Sequence, residues 1–200
     1  MARLTRPETQ ARNREHLLSA AERLFLRDGY QSVSIAKIAD EAGLSTGAVY
    51  SNFTGKQEIA LHVVRGVQER YASRLEEILH TIPDPNALRA LREWADDGLA
   101  SGWPRLELEF ALDAKSDTAL LEAEAGRHRS VVARLARSLE KISPAMAPLA
   151  TQGAEAIINL AIGVAVRHVI DPTVTAQPIQ DLLETLFAAT GLTPGAAESH

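Results

Sequence analysis

Apolar residues recur through this chain at intervals of three and four, the spacing that builds one buried face of a helix. Leu17, Ala21, Leu24 and Phe25 form the first stripe, which ends at Asp28-Gly29, so a helix is predicted from about residue 8 to residue 27. Ile35, Ile38, Ala39 and Ala42 form a second stripe, starting near Ser34 and stopped by Gly43. Ser45 then suits the N-cap of a short third helix whose large inward pair is Val49 and Phe53. Residues 34–53 therefore read as two short helices around a glycine-centred turn, the outline of a helix-turn-helix.

With Val49 and Phe53 facing in, the third helix turns Gly47, Ala48 and Ser51 outward, flanked by Thr46 and Tyr50. Such a face is slim enough to lie in a DNA major groove. Thr54-Gly55-Lys56-Gln57 has the T-x-x-Q form of a capping box and opens a long fourth helix carrying Ile59, Val63, Val67, Tyr71, Leu75 and Ile78 or Leu79. Lys56 in the first turn opposes the helix dipole, by a few tenths of a kcal/mol, unless a phosphate is bound there.

Beyond Pro83 and Pro85, a fifth helix is predicted on Leu88, Leu91, Trp94, Ala95 and Leu99. A sixth starts at Pro104 and carries Leu106 and Phe110. A seventh is marked by His128, Val131, Val132, Leu135, Leu139 and Ile142. From Ala150 to Val169 the pattern is apolar nearly all round, the mark of a helix buried on several sides. Ile179, Leu182, Leu183, Leu186 and Phe187 give a ninth and last helix. The fold class expected is all-α: a three-helix DNA-binding domain over 1–54 and a helical bundle over 55–200, about nine helices in all. A chain of 200 residues has few elements with which to surround the penultimate helix. The last two helices are accordingly expected to pair with their copies in a homodimer, through Ile157, Leu160, Ala161, Val164, Leu182, Leu183 and Leu186.

Composition removes whole classes of chemistry. There are no cysteines, which excludes disulfides, thiol nucleophiles and cysteine zinc sites. The six histidines form no H-E-x-x-H motif, so no metal site or cofactor is expected. Gly43 to Gly47 spells G-x-S-x-G, but that motif needs a preceding strand, and here a helix precedes it. No paired acid and base stands out, and no enzyme is expected. The start of the chain lacks the apolar core of a signal peptide, and the apolar run Ala156 to Val166, interrupted by Asn159, is short for a bilayer. A cytoplasmic location away from the membrane is expected.

Charge sharpens the division. Of the net −5, residues 1–60 hold eight Lys and Arg against seven Asp and Glu, a balance of +1, which leaves −6 on 61–200. The arm up to Arg14 carries Arg3, Arg6, Arg12 and Arg14 against Glu8 alone. Its sign fits nucleic acid at one end of the chain.

Residues 17–61, LLSAAERLFLRDGYQSVSIAKIADEAGLSTGAVYSNFTGKQEIAL, resemble the TetR family of bacterial transcriptional regulators. The resemblance is carried by Ala21, Leu24-Phe25, Gly29-Tyr30, Ser34-Ile35, Ile38-Ala39, Ala42-Gly43, Ser45, Gly47, Tyr50, Phe53 and Lys56. Gln57 stands where an acidic residue is common. The resemblance implies that Ser34 and Lys37 meet phosphate or a groove edge, and that Thr46, Gly47 and Ala48, following the cap Ser45, face bases. Tyr50 with Asn52 would hold phosphate or an adjacent base edge, and Lys56 phosphate. It also implies a double-stranded DNA operator and a small-molecule effector in the bundle, for which Trp94, Trp103, Phe110 and His128 are the candidate lining. The function expected is a repressor released from a palindromic operator by a small apolar ligand; the alternative is an activator, or a regulator without an effector.

Overall fold

The computed structural model describes residues 5–178 other than 83 and 85, together with 181 and 185. Among these residues it is all-helical: α1 Arg6–Asp28, α2 Ile35–Glu41, α3 Thr46–Tyr50, α4 Lys56–His80, α5 Asn86–Ala100, α6 Trp103–Ala114, α7 Thr118–Ile142 and α8 Ala150–Ile170, with a 3-10 segment Pro144–Leu149 before α8. The ninth helix expected from Ile179, Leu182, Leu183, Leu186 and Phe187 lies outside the described residues.

The chain divides into two compact units, the first being Met1–Gln68 with Ser101–Ser116, the second Glu69–Ala100 with Asp117–His200. The first unit thus extends beyond residue 54 to take in the start of α4 and the whole of α6.

In the first unit α1 begins at a capping box, the Thr5 amide donating to the Glu8 carboxylate at 2.7 Å and the Glu8 amide to the Thr5 hydroxyl at 3.5 Å. Its stripe Leu17, Ala21, Leu24 and Phe25 is wholly buried, with Ile38, Val49, Ile59, Val64, Val67 and Leu106 from the surrounding helices. Each such aliphatic or aromatic side chain contributes on the order of 1.5–3 kcal/mol by leaving water. The α2–α3 turn is made at Gly43, φ +67°, a backbone conformation costly for any residue with a Cβ. Gly102, φ +81°, precedes α6, and a Cβ there would come within 2.0 Å of the Leu26 carbonyl oxygen on α1. That absence of a side chain lets α6 start against the α1 backbone.

In the second unit Leu79, Leu135, Ala136, Leu139, Ala150 and Ala154 form a core, flanked by Leu75, Leu91, Val132, Ile157 and Ile158. Arg134 on α7 ties two carboxylates of α4, reaching Glu76 at 2.7 Å and Glu69 at 2.9 Å. Helix α7 starts well before the stripe at His128, because Asp117 caps it by accepting from the Leu120 amide at 2.9 Å.

Two expectations are corrected. The box at the start of α4 is closed by Glu58 rather than Gln57: the Thr54 amide and hydroxyl both donate to the Glu58 carboxylate, at 2.7 and 2.8 Å. Helix α4 starts at Lys56, which makes Glu58 its third residue, the position from which a side chain reaches back. Within one chain helix α8 is buried mainly where it starts. Ala150 and Ala154 are buried, Ile157 and Val164 are half-buried, Ala161 is exposed, and Leu160, Ile162 and Ile170 are 50%, 49% and 78% exposed. Ala147–Ile170 is also long and apolar enough, by length and composition, to cross a membrane, because Asn159 and the polar residues before it interrupt the run without ending it.

Gly102→Ala should lower the unfolding free energy by about 2–3 kcal/mol, from left-handed backbone strain and the clash with Leu26. Thermal and denaturant unfolding would show it as a lower midpoint with the helical signal unchanged.

Candidate nucleic-acid interface

Helix α3 has five residues, too few to be stable alone. It is held from inside, at both ends. Inside, Val49 is fully buried and Phe53, just past the helix, is 3% exposed. At the N-terminus Ser45 accepts from the Ala48 amide at 3.2 Å. At the C-terminus two side chains from α1, one turn apart, take carbonyls that the helix leaves unpaired: Gln10 donates to Ser51 at 3.3 Å and Arg14 to Asn52 at 2.7 Å. The Asn52 side chain folds back onto the Ala48 carbonyl at 2.8 Å.

What remains outward is narrow. Thr46, Gly47 and Ser51 are exposed, Ala48 is half-buried, and Tyr50 stands out at 61% exposure. The Ser51 hydroxyl donates to the Gly47 carbonyl at 2.8 Å, within the helix, which keeps that side chain close to the backbone.

The flanking cations are partly engaged. Ser34 caps α2 by accepting from the Lys37 amide at 3.2 Å. The Lys37 ammonium pairs at 2.9 Å with Asp28, whose carboxyl is held well below the usual range by hydrogen bonds from Arg27 and Lys37. Lys56 lies 4.1 Å over the Tyr30 ring and donates to the Gln31 carbonyl at 3.4 Å. Partial burial lowers its pKa, an effect opposed by the nearby Asp113 and Glu109 carboxylates.

Tyr30 is the other end of this support. Its hydroxyl donates to Asp113 of α6 at 2.6 Å, and its ring meets Phe25 at 5.6 Å and Phe110 edge-on at 6.0 Å. Burial first, then the Asp113 hydrogen bond and charge, hold the phenol well above its ordinary pKa. The Gln31 amide donates to Glu109 at 2.8 Å, and Glu109 in turn takes Arg105 at 2.7 Å. Helix α6 is therefore built into the unit that holds α3.

The structure thus brings Ser34, Lys37, Ser45, Thr46, Gly47, Ala48, Tyr50, Asn52 and Lys56 into one unit, around α2, α3 and the start of α4. The pocket candidates are divided between the two units. Phe110, 3% exposed, and Trp103 belong to the first unit, while Trp94 and His128 belong to the second, where the Trp94 indole donates to the Tyr71 carbonyl at 3.0 Å. The residues missed from sequence are Gln10 and Asp113, with Arg14 foreseen only as part of a basic arm. The spacing of Gln10 and Arg14, one turn apart on one face of α1, was the available signal.

Residues 17–63 match the family model described as bacterial regulatory proteins, tetR family. The HTH-type transcriptional regulator HbdR of Aromatoleum sp. is 29% identical over 92 residues, covering 46% of this chain and 40% of that protein. The HTH-type transcriptional repressor AcnR of Corynebacterium efficiens is 25% identical over 134 residues, 64% of this chain and 67% of that protein. Matches of this kind thus span from under half to about two thirds of the relatives' length. Among solved structures, a transcriptional regulator of the TetR/AcrR type from Aquifex aeolicus has a TM-score of 0.63 at 21% identity, covering 88% of this chain and 99% of that one. SmeT, solved in complex with triclosan, has a TM-score of 0.62 at 22% identity, covering 94% and 98%. At these identities the two structures show the shared fold.

Ser45→Ala should cost about 1 kcal/mol of stability, whereas Ser45→Asp, which can also cap, should hold within a few tenths of wild type. Denaturant unfolding of the two variants checks this.

Proposed function

We propose, from the premise that the chain belongs to the tetR family of bacterial regulatory proteins through residues 17–63, that it is a dimeric, DNA-binding transcriptional repressor of the cytoplasm. The observation that carries the reading is the outward face of α3. Thr46, Gly47 and Tyr50 are exposed on a helix fixed from inside by Val49 and Phe53 and clamped at both ends, as a groove-reading helix requires. In this reading Thr46, Gly47 and Ala48 approach base edges, and the Ala48 methyl suits a thymine methyl. Ser34, Lys37, Tyr50, Asn52 and Lys56 hold phosphate or the groove edge and set the register.

Repression, rather than activation, is supported by AcnR, a named repressor. Release by a small apolar ligand is supported by SmeT, a relative in fold solved with triclosan. Dimerisation is supported by α8, whose Leu160, Ile162 and Ile170 are open on one chain and would be covered by a second copy. A two-fold dimer carries two α3 helices and so reads two half-sites of a palindrome.

Lys56→Ala should weaken binding to every duplex alike and reduce the salt slope of log affinity by about one. Anisotropy titrations across salt concentration measure it; an unchanged slope would mean that Lys56 serves only as a strut on Tyr30. Sedimentation of the full chain at micromolar concentration should give twice the chain mass, and Leu160→Asp should shift it toward one chain. A wild-type value of one chain would end the dimeric reading.

A further inference from the structure

Arg14 occupies an unusual position between the end of α3 and the start of α4. One guanidinium nitrogen donates to the Asn52 carbonyl at 2.7 Å, and the other lies 2.7 Å from Nε2 of His62. The guanidinium carbon sits 4.1 Å over the Phe53 ring, and the His62 ring meets the same phenyl at 6.1 Å. A guanidinium has donors and no acceptor, so Nε2 of His62 must be the acceptor and the ring must be neutral, with its proton on Nδ1. The contact exists in one protonation state only.

We propose that Arg14 is the positioning residue for the recognition helix and that His62 is its pH-dependent latch, protonation of His62 freeing Arg14 from the end of α3 and weakening DNA binding. The DNA part rests on the reading of the chain as a DNA-binding regulator; the latch itself does not.

The charges facing the histidine set the direction. Arg14 comes from α1, and Glu58 and Arg65 come from α4, the helix that carries His62. Burial, then Arg14, lower the His62 pKa, Glu58 opposes them, and Arg65 adds to the lowering. A histidine lowered in this way favours the assembled state above its ordinary pKa, and that contribution is lost as pH falls through the lowered value. Once charged, His62 repels Arg14 and competes with it for Glu58. That carboxylate lies 3.8 Å from His62 and 3.9 Å from Arg14, with its other oxygen already taken by Thr54. Pairing of His62 with Glu58 then displaces the arginine that holds Asn52.

The sign separates this device from bulk electrostatics. Acidification adds positive charge to the protein and by itself strengthens attraction to phosphate. A latch at His62 does the reverse.

The test uses the full-length chain at fixed salt, with a duplex selected from a random-sequence pool by the protein at pH 8. Histidine-ring and backbone-amide NMR should show the Ser51 and Asn52 amides shifting with the same midpoint as the His62 ring, below the ordinary histidine range. Affinity for the duplex should fall about five-fold from pH 8 to pH 5.5, at the low end of ordinary coupling between sites. His62→Gln keeps an acceptor that does not titrate and should bind as wild type at pH 8, with an affinity that holds or rises toward pH 5.5 instead of falling. His62→Lys should show the acid-state affinity already at pH 8. Amides at 51 and 52 that ignore the His62 titration, or a His62→Gln profile as steep as wild type, would overturn the latch. If no duplex is enriched at pH 8, the DNA-binding reading fails, and the NMR titration still decides whether His62 governs Arg14.

Discussion

A five-residue helix cannot pay its own nucleation cost, and the first unit is arranged around that fact. Helix α3 gains order from what surrounds it: two apolar side chains sunk into the core, a serine hydroxyl at its start, and a glutamine and an arginine at its end. Each polar contact is worth about 1 kcal/mol, and the charged one somewhat more. The positive guanidinium also sits where the helix dipole is negative. The outcome is a helix that needs no bulky side chains on its outer face for stability, and so can be slim there.

The same logic explains why α1 is so long. Its C-terminal half supplies Leu17, Ala21, Leu24 and Phe25 to the core, while its N-terminal half, around Gln10 and Arg14, reaches the end of α3. The basic arm that the charge pattern suggested is therefore in part structural: Arg14 is bound to protein groups rather than left as a free cation. Lys37 and Lys56 repeat the theme, each held by a protein partner. Cations held in position lose less side-chain entropy on binding than cations on free stems.

Local chemistry was legible in the sequence and tertiary chemistry was not. The stripes on α1 and α2, the caps at Ser34 and Ser45, and the inward pair Val49 and Phe53 depend on spacing of a few residues, and periodicity reports them. The box on α4 was misread by one residue because its geometry depends on where the helix starts, the least certain feature of any pattern. Gln10 with Ser51, Tyr30 with Asp113, and Gln31 with Glu109 join residues 41, 83 and 78 positions apart, and no period encodes such pairs. The apolar circumference of α8 was read correctly as composition. Within one chain most of that circumference is open to solvent.

The placement of α6 bears on how a shift in one helix would reach Lys56. Helix α6 belongs to the same unit as α3 and contacts Tyr30 and Gln31 directly through Asp113 and Glu109. Tyr30 in turn is the surface on which Lys56 lies, so the first residue of α4 and α6 share one support. A shift of α6 that lengthened the Tyr30–Asp113 bond would leave a buried phenol and a carboxylate to find new partners, and would loosen the seat of Lys56. A ligand with unequal affinity for two settings of α6 would shift the equilibrium between them by at most its ratio of affinities. The carboxylates that hold Tyr30 and Gln31 therefore also define where a conformational change must act to be felt at Lys56.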